Sequence, residues 1–193
     1  MKIALAHVQF ETIHPFLDGN GRVGRLLITF LLTEHGVLHK PVLYLSHFFK
    51  QHRQSYYEHL QAVRERGAWE DWLGFFLRGV IEVAGEASET ARRILKLREQ
   101  LRAAITAQLG RAAGNGHKVL ESLFDRPIIA VADVQKLTGT TYPAANSLVS
   151  RLVKLGVLSE MTGYARNRRF RFAPYIALFN DAGPGAAAVE AGA

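Results

Sequence analysis

Residues 13–27 read IHPFLDGNGRVGRLL, and this stretch decides how the chain folds. Its glycines satisfy G-x-G-x-x-G at 19–24, the spacing of a dinucleotide loop, but that loop needs a strand before it. Here Ile3, Ala6, Phe10 and Ile13 recur at helical spacing, so a helix runs into the motif. A kinase-type glycine loop also needs flanking strands, and no G-x-x-x-x-G-K-[ST] is present. A second helix begins near Gly21, runs through LLITFLL to about Glu34, and stops at His35-Gly36. Arg22 and Arg25 therefore fall in a helix's first turns, where cations are disfavoured by roughly 0.3–1 kcal/mol each. The arrangement makes sense once an anion is added.

The parts of the motif agree on which anion. Gly19 and Gly21 allow positive φ, so consecutive backbone amides can converge into an anion nest at a helix N-terminus. Arg22 and Arg25 add charged, fork-shaped donors. Asp18 supplies one hard oxygen ligand, and one carboxylate plus substrate phosphates is the usual way to hold Mg²⁺. His14, its direction fixed by Pro15, can take the proton from an attacking hydroxyl. Phe16 is expected to anchor the loop in the core. The plainer alternative is an interhelical turn with surface arginines, which explains any one of these residues but not the whole set within twelve positions.

HPFLDGNGRVGR, residues 14–25, resembles the signature of the Fic family, HPFx(D/E)GNGRxxR, at every fixed position. The resemblance continues through PVLYLSHFF, QSYYEHL and AWEDWLGFFLRGV, covering roughly residues 1–85. It implies a helical core and transfer of AMP from ATP to a protein side-chain hydroxyl. It assigns His14 as general base and Asp18 as the Mg²⁺ ligand. Gly19, Asn20 and Gly21 hold the α- and β-phosphates, Arg22 supports loop and phosphates, and Arg25 faces the γ-phosphate. Tyr56 and Tyr57 match a position where the family often contacts adenine, and packing is the competing role. The family core normally carries helices and a β-hairpin flap before this signature. Only thirteen residues precede His14 here, so a fragment or a late-called start is expected. No (S/T)xxxE(G/N) inhibitory motif occurs.

Further along, SHFFKQHRQSYYEHLQAVRERG reads as one helix after a connector at Pro41. AWEDWLGFFLRGVIEVAGEA supplies core anchors Trp69, Trp72, Phe75 and Phe76, and residues 86–109 form a long amphipathic helix. GRAAGNG at 110–116 reads as a hinge, which places a first domain at 1–109. Over 117–180, three helices and a hairpin look like a winged helix-turn-helix, giving a mainly α chain with a small β element. Ala145, Leu148, Val149 and Leu152 form the buried face of its third helix. Ser147, Ser150, Arg151 and Lys154 face outward, and the wing YARNRRFRF carries Arg166, Arg168, Arg169 and Arg171. These are candidate DNA contacts. The competing reading is a protein-interaction or dimerisation module, which leaves a homodimer open. The tail at 181–193 lacks large apolar residues and is expected to be disordered.

Composition narrows the field. With 24 Lys+Arg against 17 Asp+Glu the net charge is +7, favouring polyanionic partners. Zero cysteines exclude disulfides, thiolate catalysis and Cys-ligated zinc, and fit a reducing cytoplasm. No charge-free run of 18 apolar residues exists, so no membrane span is expected. His35 and His39 lack the intervening Glu of a zinc helix, and His7 and His47 read as packing or surface residues.

Overall fold

The computed structural model describes residues 1–38, 45–164 and 167–180. His39, the connector at Pro41, Arg166 and the tail at 181–193 lie outside the described residues. Helix α1 (Lys2–Ile13) buries Ala4, His7, Val8 and Glu11, one face at i, i+3, i+4, i+7. Helix α2 (Asn20–Glu34) buries Asn20, Gly24, Ile28 and Leu32. It ends where expected: Gly36 takes φ 68°, and the amides of Gly36 and Val37 bond back to Thr33 and Leu32.

The single helix expected over 46–67 breaks at His52 into α3 (Leu45–Gln51) and α4 (Arg53–Arg66). The break lets Phe48 and Phe49 enter the same core as Tyr56 and Leu60. By contrast, the apolar stretch at 68–87 and the amphipathic helix expected over 86–109 form one helix, α5 (Trp69–Leu109), 41 residues long. Gly79 does not interrupt it. The glycine makes room for Phe48, whose Cδ1 would lie 2.5 Å from a Cβ at that position. Trp72 is fully buried and its Nε1 donates to the Ala4 carbonyl at 2.9 Å. Burial of such a ring contributes about 3 kcal/mol. Trp69, expected in the core, is 41% exposed at the first position of α5.

Chain contacts divide the molecule into Met1–Glu89 and Thr90–Ala193, so the division falls inside α5 rather than at residue 109. In the second unit, the stretch expected to be a hinge is a 3-10 turn (Gly110–Ala112) running into α6 (Ala113–Asp125). Of its three glycines, Gly110 takes positive φ, Gly114 has open space around it, and Gly116 is required by packing. Gly116 is buried, and a Cβ there would sit 2.7 Å from Leu109 Cδ1 and 2.9 Å from Ile105 Cγ2. β1 (Ile128–Ala130) and α7 (Val131–Thr138) follow, and Asp133 Oδ2 accepts the Ala130 amide at the start of α7. Then come α8 (Tyr142–Lys154), β2 (Ser159–Glu160), β3 (Arg169–Arg171) and α9 (Ala173–Asn180).

The expected hairpin is present as β2–β3. β1 joins it on the other side in an antiparallel sheet of order β1-β3-β2, with Ile129 opposite Phe170. α8 buries Ala145, Leu148, Val149 and Leu152, as its pattern predicts. These pack with Val119, Leu120, Leu123, Phe170 and Phe172 into one core. Among the described residues, no helix is long and apolar enough to cross a membrane.

Candidate active-site loop

The loop at 14–19 is held by its ends. His14 caps α1 in the left-handed region, φ 49° and ψ 57°, with its amide donating to the Phe10 carbonyl at 3.0 Å. That backbone is unfavourable for a residue with a Cβ, by roughly 1–2 kcal/mol. It turns the chain out of the helix and leaves His14 exposed. Strain of this kind persists only where neighbours hold it, and Asn20 is the holder. Its Oδ1 accepts the Phe16 amide at 2.9 Å and its Nδ2 donates to the Phe16 carbonyl at 2.5 Å, with the residue 2% exposed. The Asn20 side chain is therefore taken up by the loop itself, while its backbone amide precedes the helix ladder. Phe16, expected to be buried, is half exposed and tilts against Phe10.

Gly19 uses its freedom at φ 85°; Gly21 does not, being helical. The role of Gly21 is steric. Arg25 folds back along α2, and a Cβ on Gly21 would sit 3.1 Å from its Nη1. The first intrahelical amide is that of Val23, bonded to Gly19 O at 3.0 Å. The amides of Asn20, Gly21 and Arg22 thus precede the ladder. No side chain caps the helix and no acid sits in its first turn. Asp18 Oδ1 accepts the Gly19 amide at 2.6 Å, while Oδ2 meets Arg22 Nη2 only at 3.5 Å, both side chains in solvent. Free amides, two guanidinia and a lightly engaged carboxylate thus sit within one loop and the first turns of the helix that follows it.

Beneath the loop lies a buried polar set. His7 Nδ1 pairs with the Gly24 carbonyl at 2.9 Å and its Nε2 with the Tyr56 hydroxyl at 2.9 Å. Burial lowers the His7 pKa to about 4; the Gly24 bond works the other way and Arg25 adds to the lowering. The imidazole is neutral at physiological pH. Burial also pushes the Tyr56 hydroxyl far up. Tyr56 is 3% exposed and packs in the core, whereas Tyr57 is 53% exposed with Arg53 over its ring. Glu11 completes the set, and the sequence reading overlooked it. The available signal was a carboxylate on the apolar stripe of α1.

The residues proposed for nucleic acid divide in two. Ser147, Ser150, Lys154 and Arg169 are exposed, and Arg169 flanks buried Phe170 together with Arg171. Ser150 Oγ donates back to the Asn146 carbonyl. Arg151 donates to the Gln108 carbonyl at 3.0 Å, and Arg168 grips Glu160 with two bonds of 2.9 and 2.5 Å while covering the Phe170 ring. Those two arginines serve the fold rather than standing free. Arg168 holds the Glu160 carboxyl below the usual range.

A family model described as Fic/DOC family matches residues 1–32. Protein adenylyltransferase Fic of Aedes aegypti is 47% identical over 62 residues, which is 32% of this chain and 11% of that protein. The protein of the same description from Drosophila grimshawi is 45% identical over 62 residues, 32% of this chain and 12% of its own length. Probable protein adenylyltransferase aq_aa38 of Aquifex aeolicus is 57% identical over 37 residues, 19% of this chain and 12% of that protein. The chain thus spans only 11–12% of the length of these relatives. The matched residues 1–32 take in the strained histidine, the locked loop and the arginine-bearing helix start, and it is this part of the chain that is similar to the Fic/DOC family.

Proposed function

We propose that the loop binds ATP and that the protein transfers its AMP group to a side-chain hydroxyl of another protein. The observation that carries this reading is the exposed, strained His14 beside an uncapped helix start that gathers three amides and two arginines. The amides of Asn20, Gly21 and Arg22 and the two guanidinia bind phosphate oxygens. His14 takes the proton of the incoming hydroxyl. The hydroxyl oxygen bonds to the α-phosphorus, the bond from that phosphorus to the bridging oxygen breaks, and pyrophosphate leaves carrying the negative charge. Positioning and charge stabilisation supply most of the catalysis.

Mg²⁺ fits this site. The Asp18 carboxylate is solvent-facing and only loosely paired, and among the described residues no cluster of three His, Asp or Glu offers a protein cage. One carboxylate plus phosphate oxygens is the manner in which Mg²⁺ is held, and the ion would neutralise phosphate charge. Tyr57 is the exposed aromatic available to a base. A cytoplasmic setting supplies both ATP and Mg²⁺.

The test is incubation with Mg²⁺ and ATP labelled at the α-phosphate. Label should appear on protein and fall at least about a hundredfold in His14→Ala. A folded protein that labels nothing with any nucleotide refutes the reading. A second reading, a DNA-binding regulator, rests on the exposed Arg169 and Arg171 beside the outward face of α8. It requires binding that weakens steeply with salt and a smaller slope in Arg169→Ala with Arg171→Ala.

A further inference from the structure

Glu11 is a buried charge that the proposed transfer does not use. It is 6% exposed, on the face of α1 that packs against α2. Its Oε1 is buried and has no hydrogen-bond partner among the described residues, a condition that asks for an explanation in a folded protein. The surroundings are shaped around it. A Cβ on Gly24 would collide with Oε1 and lie 3.2 Å from Cδ, so glycine at 24 is what admits the carboxylate. A helix-interior glycine costs roughly 1 kcal/mol relative to alanine. The backbone carbonyl of Glu11 is tied down by the Arg64 guanidinium from α4.

The groups facing this carboxylate are His14 at the end of α1, Arg25 on α2, and Arg64 and Tyr56 on α4. Burial pushes the Glu11 carboxyl up, and His14, Arg25 and Arg64 each pull it down. Arg64 is already engaged with the Glu11 carbonyl and Thr12. Arg25 is different. It follows Gly24 directly, is half-buried, and folds back over the gap left by Gly21. Two glycines three residues apart thus clear space, one for a carboxylate below the helix and one for a guanidinium beside it.

We infer that Glu11 is a positioning residue for Arg25: its buried charge holds the guanidinium over the first turn of α2, where it meets the outermost phosphate of the nucleotide. The attraction acts through space, without a direct bond, and low polarity in the α1–α2 interface strengthens it. It also offsets the repulsion that Arg25 feels from Arg22 and from the positive end of the helix. The inference rests on the nucleotide reading above, and its test separates the two.

Calorimetric titration of ATP and of AMP into the wild-type protein, Glu11→Gln, Arg25→Ala and the double variant provides that test. Glu11→Gln should weaken ATP roughly threefold to tenfold, leave AMP unchanged, and have no effect in the Arg25→Ala background. A carboxylate that merely repelled phosphate would give tighter ATP binding in Glu11→Gln, and that result overturns the inference. Equal losses for ATP and AMP, or the same loss without Arg25, also overturn it. Melting of the four proteins without nucleotide gives an independent arm. Non-additive midpoints support the Glu11–Arg25 pair even if wild type binds no ATP, which would sink the nucleotide reading alone; additive midpoints sink the pair.

Discussion

Arginines behave differently in the two units. In the second unit Arg98 and Arg102 both clasp Glu121, at 2.7–3.2 Å, and Arg168 clasps Glu160. Arg98 and Arg168 each set two bonds of the guanidinium fork on a carboxylate, and Arg102 adds one. In the first unit Arg22 and Arg25 stand at a helix start that repels cations, with Asp18 no closer than 3.5 Å to Arg22 and no hydrogen-bonded acid at Arg25 among the described residues. The same residue type is satisfied in one place and left wanting in the other. Local conflict retained beside a strained histidine points to a ligand that resolves it.

The cores differ too. Both units expose large apolar side chains, but Trp72 is the largest side chain that the first closes completely, whereas the second closes Val119, Leu120, Leu123, Leu152, Phe170 and Phe172. The first unit keeps its stability in fewer, larger anchors. Trp72→Ala should therefore cost about 3–5 kcal/mol in denaturant unfolding, the largest effect expected. A loss under 1 kcal/mol would break the contrast.

Acid should separate the units next. The unfolded His7 imidazole takes its proton near pH 6.5, the folded one only near 4, so the unfolded state binds more protons in between. Stability of the first unit is then full above pH 6.5 and falls by about 3 kcal/mol as pH drops to 4. Glu11, whose carboxyl is raised by burial, contributes with the opposite sign at the low end of that range. Fluorescence of Trp72 followed across pH reads the slope, and His7→Gln should flatten it. A third, smaller effect concerns the loop: Asn20→Ala leaves the Phe16 amide and carbonyl without their partner and should cost about 1–3 kcal/mol. Susceptibility to proteolysis between Pro15 and Asp18 should rise with it. Last comes Arg168→Ala, which breaks a surface pair with Glu160 whose side chains are 35% and 27% exposed and should move the melting midpoint by at most a few degrees.

What the sequence disclosed follows from the kind of signal each residue carries. The loop was legible because histidine before proline, adjacent glycines and paired arginines each have a narrow chemical meaning. The buried face of α8 was legible because its period is clean. Glycine elsewhere misled, since one letter stands both for a bend and for a missing Cβ. Gly116, read as part of a hinge, is a contact point for Ile105 with Leu109 and does not break α6. Arginine misled in the same manner: Arg151 and Arg168 have the exposed, basic look of phosphate ligands, and only tertiary structure reveals the Gln108 carbonyl and Glu160 that occupy them. β1 and α9 escaped notice because three residues of strand and eight of terminal helix carry too little periodicity to register.

The bond pair from Asn20 to Phe16 has a thermodynamic corollary. A loop already fastened in the ligand-free protein loses little conformational freedom when something docks on it. Nucleotide association should then have a heat-capacity change commensurate with the small area covered, and none of the large excess that accompanies a segment folding around its guest.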